Sequence, residues 1–226
     1  MTAGSLFLLL VRKELALEAR NRELFSTMAI FSFLMVVLFS FAFYTDAERA
    51  AVYAPGILWI TVLFSGTLGL NRLYDKELEG GALDVLLMGA QSSRVVFVAK
   101  ALTHFFLTLG VVFLTVPVLM LFFRLQVSDP IALLFSLTAG TLGFSFLGTL
   151  FASALCYARM RDVLLPMVLY PLVVPVLIAG VKSTGGILQN LHSDVATSWT
   201  QFMIGYDLLF VTASVYIYKP LSEQLA

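Results

Sequence analysis

Charge is scarce in this 226-residue chain. Lys+Arg and Asp+Glu number 14 each, 12% of residues in all, where a soluble domain carries about 25%. The two signs cancel, so there is no basic surplus to hold nucleic acid. A single cysteine, Cys156, excludes an intramolecular disulfide, a CxxC redox pair and the CxxCH haem-attachment motif. Two histidines, His104 and His192, are too few for a self-contained structural zinc site. No GxxxxGK(S/T) run occurs, so any ATP chemistry belongs to another subunit. The apolar run Leu6 to Val11 is short and its positive charges follow it, which is not the layout of a cleavable signal. What abounds is apolar residue: 60% of the chain is hydrophobic and the mean hydropathy is +0.94. Soluble enzyme, disordered tail and DNA binder are excluded, and a membrane protein remains.

Six stretches approach the roughly 20 apolar residues that cross a hydrocarbon core of about 30 Å. They are 24–44, 52–70, 97–123, 131–157, 163–181 and 201–218. The runs are continuously apolar, without the alternation of a membrane barrel. The expected fold is therefore all-α, one polytopic domain over 1–226 with six transmembrane helices. With the N-terminus inside, the inner segments hold Arg12, Lys13, Arg20, Arg22, Arg72, Lys76, Arg94, Lys100, Arg159, Arg161 and Lys219. The outer segments hold only Arg49, Arg124 and Lys182. Basic residues mark the cytoplasmic side, so both termini are expected there. Residues 1–23, six apolar positions followed by RKELALEARNRE, read as a helix lying in the cytoplasmic interface.

The most informative polar segment is 71–94, NRLYDKELEGGALDVLLMGAQSSR. Residues 73–79 are good helix formers of alternating charge, and Gly80-Gly81 ends them. Leu83, Leu86 and Leu87 resume an apolar face leading into the third span. The pattern is a short helix between spans two and three that presents Asp75, Glu77 and Glu79. Pattern alone leaves two readings, a partner contact and a solvated charged loop.

Here the sequence resembles a known family. KELEGGALDVLL is similar to the Glu-x-Glu-x-Gly element after the second span of ABC-2-type exporter permeases. GTLGLNR (66–72), GTLGFSFLGTLFASA (140–154), RDVLLPMVLYPLVVPVLIAGV (161–181) and the ending GYDLLFVTASVYIY narrow the resemblance to the CcmB family. These are the haem exporter permease (B) subunits of the cytochrome c maturation ABC transporter. Glu77, Glu79, Gly81, Leu83, Leu86, Leu87, Arg94 and Lys100 fall on matching positions, whereas Ala82, Ala90 and Ala99 depart from the broader pattern. The resemblance implies an inner-membrane permease that is not an ATPase itself. It implies an ATP-binding CcmA-like partner coupled through Asp75, Glu77, Glu79, Gly81 and Arg94, with the Arg159–Asp162 turn also placed for cytoplasmic contacts. It further implies a haem-handling CcmC-like subunit, a small CcmD-like subunit, a periplasmic CcmE-like chaperone and a possible homodimer. Haem is the implied cargo, either exported or released on its chaperone. An ABC-2 permease for a lipid, glycan or drug, and a non-transporting scaffold, are the alternatives.

Inside the spans, Thr141, Ser145, Thr149 and Ser153 recur every four residues and share a face, with Gly148, Ala152 and Cys156 beside them. Such rows let helices approach, within the chain or across a dimer seam. Pro166, Pro171 and Pro175 each remove a backbone donor, so the fifth span is expected to be kinked or broken, as a gate or as static packing. Asp207 is the one carboxylate deep in a span and must face protein or a cavity. It is expected to be hydrogen-bonded to a Thr/Ser face or to backbone donors of a neighbour. His104 and His192 read as polar packing residues before haem ligands, and Trp59 and Trp199 as interfacial anchors. A short outer-loop helix is expected from Ile187 to His192. No metal or resident cofactor is expected.

Overall fold

The computed structural model describes residues 3–43, 47–75, 78, 93–189 and 193–225. Among them the chain is all-helical: α1 (Ala3–Asn21), α2 (Glu23–Ala42), α3 (Ala47–Arg72), α4 (Ser93–Phe123), α5 (Pro130–Ala154), α6 (Arg161–Leu188) and α7 (Ser193–Leu225). Helices α2 to α7 are long and apolar enough to cross a membrane, in agreement with six spans.

Helix α1 is separated from the first span by one residue. Arg22 adopts a left-handed backbone, φ 53° and ψ 13°, which redirects the chain. The carboxylate of Glu18 then accepts from the Phe25 amide at 2.8 Å, satisfying one of the orphan donors at the start of α2. Helix α5 begins on a better cap: Asp129 Oδ1 accepts from the amides of Ile131 and Ala132 at 3.1 and 2.9 Å, and Pro130 occupies the first turn.

Helix α5 is the centre of the bundle and packs against α3, α4, α6 and α7, while α2 packs on α3 and α4 and α1 lies on α4. Trp59 shows how the centre closes. It is 1% exposed, not at an interface as its sequence position suggests. Gly140 of α5 and Gly180 of α6 supply the reason. A Cβ on either would collide with the indole, so the two glycines form a slot, and Nε1 donates to Thr184 Oγ1 at 3.3 Å. Trp199 is half-buried and edge-on to Phe202.

One further expectation is corrected. The outer-loop helix starting at Ile187 does not exist as a separate element, because α6 continues through Ile187 to Leu188 and α7 begins at Ser193. Residues 190–192, His192 included, lie outside the described residues. The extension has a packing cause: Ser183 Oγ donates to the Ala196 carbonyl at 3.2 Å and meets Thr200 Oγ1 at 2.7 Å, and Gly186 sits against Ala196. The fifth span, expected to be kinked or broken, is one continuous helix, α6, with Pro166, Pro171 and Pro175 inside it.

Candidate functional site: the charged end of the bundle

Charged side chains gather where α1, the end of α3 and the starts of α4 and α6 meet. Lys100 lies two turns inside α4 with its side chain 4% exposed, and a cation there needs partners. Its Nζ meets Glu14 Oε2 of α1 at 3.2 Å and donates to the Leu73 carbonyl beyond α3, also at 3.2 Å. The same ammonium stands 5.5 Å from the Tyr74 ring centre, within cation–π range. One side chain thus ties three elements together. Breaking such a buried pair on one side costs about 3–5 kcal/mol, because the remaining charge is stranded.

Further ties surround it. Asp75 pairs with Arg161 at the start of α6. Arg94 places its guanidinium 5.5 Å from the ring centre of Tyr216 on α7, and Phe97 stacks on Tyr218 at 4.6 Å. Arg72 and Glu23 approach to 3.7 Å on the exposed surface, a contact of small energetic weight. Asp75 and Arg94 therefore stand at the two ends of the expected coupling segment, each engaged with another helix. Glu77, Glu79 and Gly81 lie outside the described residues.

A polar core continues inward from this end. His104 is fully buried, with Nε2 3.0 Å from the Gly66 carbonyl on α3 and Nδ1 3.0 Å from Ser145 Oγ on α5. A carbonyl only accepts, so Nε2 carries the proton and Nδ1 takes the hydrogen of Ser145. Both ring nitrogens are thereby used inside the chain. Thr141, Ser145, Thr149 and Ser153 are all buried within this one chain. Thr141 and Ser153 donate back to their own helix, to the carbonyls of Leu137 and Leu150, Thr149 Oγ1 is buried without a partner, and Ser145 alone of the four reaches another helix in the described bonds. Gly148 faces Leu70 of α3 closely enough that a Cβ would collide with it.

Asp207 on α7 is 5% exposed, and its buried Oδ1 has no hydrogen-bond partner among the described residues. The expected Thr/Ser partner is absent for that atom, and the reason is geometric: Oδ1 occupies the space of a missing side chain at Gly143 of α5. Its neighbour Tyr206 turns to α6 and donates to the Leu172 carbonyl. That carbonyl adjoins the Pro171 carbonyl, which Pro175 deprives of its helical donor. Among the described residues no group of three or more His, Cys, Asp or Glu is arranged to hold a metal ion.

Comparison with known proteins agrees with this architecture. The family described as CcmB protein matches residues 5–218, nearly the whole chain. This chain belongs to the CcmB family. Relatives of that family include Heme exporter protein B of Haemophilus influenzae, 31% identical over 76% of this chain and 78% of its own length. The protein of the same name from Pseudomonas aeruginosa is 28% identical over 85% and 86%, and that from Paracoccus denitrificans 31% over 77% and 80%. In this CcmB chain sequence alone does not pair Lys100 with Glu14. Its signal was present: a lysine well inside an apolar run demands a carboxylate, and RKELALEARNRE supplies several. Gly143 had no such signal, because its need appears only once Asp207 is brought beside it.

Proposed function

We propose that this chain is the permease subunit of an ABC transporter of cytochrome c maturation, set in the bacterial inner membrane with both termini cytoplasmic. A separate CcmA-like subunit hydrolyses ATP and pushes on the segment from Asp75 to Arg94, through Glu77, Glu79 and Gly81. The match over residues 5–218 to a family with relatives named Heme exporter protein B carries the reading. The charged end supplies the mechanics. A push on that segment acts on α6 through Asp75 and Arg161, on α7 through Arg94 and Tyr216, and on α1 through Lys100 and Glu14. CcmC-like, CcmD-like and CcmE-like proteins complete the assembly, with haem as the cargo handled.

A second reading has its own support. His104 is sealed in the bundle with both nitrogens engaged, which suits a rigid element better than a haem ligand. On this reading the subunit moves with ATP but only releases haem from the chaperone. ATP-driven haem flux in reconstituted vesicles favours export, and chaperone release without flux favours the second.

Reversing Glu77 and Glu79 to Lys, singly and together, tests the coupling assignment. The two residues are two apart, so one helix does not point both at the same partner, and the effects should be unequal. A buried interfacial pair broken on one side costs about 2–5 kcal/mol, a weakening of about 30-fold or more. At least one reversal should detach the ATPase from the complex in mild detergent, or leave ATP hydrolysis without cytochrome c maturation, while the permease still inserts. Intact ATPase binding and maturation in all three variants contradicts the coupling role.

A further inference from the structure

The end of the bundle opposite the charged cluster contains a cavity of about 470 Å³ between the starts of α5 and α7 and the end of α6. That volume lies within the roughly 300–1,000 Å³ of small-molecule sites. Its polar side chains are Ser128, Asp129, Thr197, Thr200 and Gln201, set beside apolar Ile131 and Ile187. Phe135 and Ile204 lie further along the same helices and make the deeper part apolar. At 1.5 Å per residue, Phe135 is about 9 Å further along the helix than Asp129. Ile131, Phe135 and Ile204 are also 66%, 63% and 54% exposed, so the cavity opens on the surface that faces hydrocarbon in a six-span bundle. A carboxylate at the start of α5, apolar side chains as the innermost lining of α5 and α7, and an opening sideways suit a lipid standing in its leaflet.

Charge selects among lipids. Among the described residues lining the cavity, Asp129 is the only ionisable one. Oδ1 of its carboxylate is held by the amides of Ile131 and Ala132, which fixes the group at the rim. A carboxylate there complements a headgroup ammonium and repels a purely anionic headgroup. We propose that this cavity holds one acyl chain of a bilayer aminophospholipid, with phosphatidylethanolamine as the fitting chemistry and its ammonium directed to Asp129. The site is independent of the coupling segment and of whatever cargo the complex handles.

Native mass spectrometry of the full chain in its detergent-solubilised complex, drawn from nanodiscs with equal phosphatidylethanolamine and phosphatidylglycerol, tests this. The wild type should retain phosphatidylethanolamine preferentially. Asp129→Asn keeps the cap and removes the charge, so it should reduce that preference by about threefold to fivefold, the size of a partly exposed ion pair. Ala132→Phe fills the cavity from its wall and should abolish the retained lipid. Ile204→Trp, on the lipid-facing side of α7, fills it with less demand on folding and should do the same. No retained phospholipid in the wild type overturns the proposal. So does equal retention in a folded filling variant, no change of preference in Asp129→Asn, or haem or a protein segment found in its place.

Discussion

Lys100 illustrates how one residue in an apolar setting dictates a contact between distant parts of a chain. Its ammonium sits among Glu14, the Leu73 carbonyl and the Tyr74 ring. Lys100→Met should therefore cost about 3–5 kcal/mol by stranding Glu14. Adding Glu14→Gln should recover part of it, since a double change removes the pair without leaving a lone charge. Thermal unfolding of the purified complex measures both, and additive losses in the double variant would remove the ion pair from the account. Residues of this kind are half legible in sequence. The apolar run around Lys100 announces that a partner is needed, but Glu14 is 86 positions away and competes with Glu18 and Glu23. Glu18 caps α2 and Glu23 faces Arg72, assignments that only the turn at Arg22 decides. His104 was legible as a packing residue, whereas its bonds to Gly66 and Ser145 join three helices that no local pattern connects.

At the scale of helices, the six spans were readable because crossing a membrane requires length and continuous apolarity. Their ends were less so. Hydropathy ends the fifth span at 181 and starts the sixth at 201, yet α6 and α7 run on to Leu188 and from Ser193. Gly, Ser and Thr look like a loop when counted by hydropathy. In the folded hairpin they are the small residues that let α6 and α7 touch, through Ser183, Gly186, Ala196 and Thr200. The same logic joins α5 to α7 at Gly143 and Asp207. Gly143→Ala should press a methyl into the carboxylate and cost about 1–3 kcal/mol, the usual range for overpacking. Asp207→Asn should leave stability nearly unchanged, because the amide keeps the shape and polar atoms that fill the space at Gly143. Gly143→Ala combined with Asp207→Ala should lose little, since the truncated side chain vacates the space. If Gly143→Ala is as damaging with Asp207→Ala as without it, the two residues do not share that space.

Across the whole molecule, polarity is sorted to two ends. One end holds the ion pairs of Lys100 and Arg161, and the other holds Asp129, Gln201 and the hairpin of α6 and α7. An even number of spans keeps both termini on one side, and the proposed cytoplasmic placing of the first end rests on the sequence, where the inner segments hold eleven basic residues and the outer ones three. This asymmetry was legible because it is a property of composition along the chain, whereas the closure of α5 against four neighbours depends on glycine slots scattered over it. The orientation is testable with single cysteines in a Cys156→Ala background, the native thiol being buried. Arg159→Cys lies in the turn before α6 and Asp194→Cys at the start of α7, both exposed positions. In intact cells an impermeant thiol reagent should label Asp194→Cys at once and Arg159→Cys only after the membrane is opened. The reverse pattern would turn the bundle over. It would put the Asp75–Arg161 tie and the segment beside it out of reach of any cytoplasmic ATPase, and the coupling mechanism would fail with it, whatever the family.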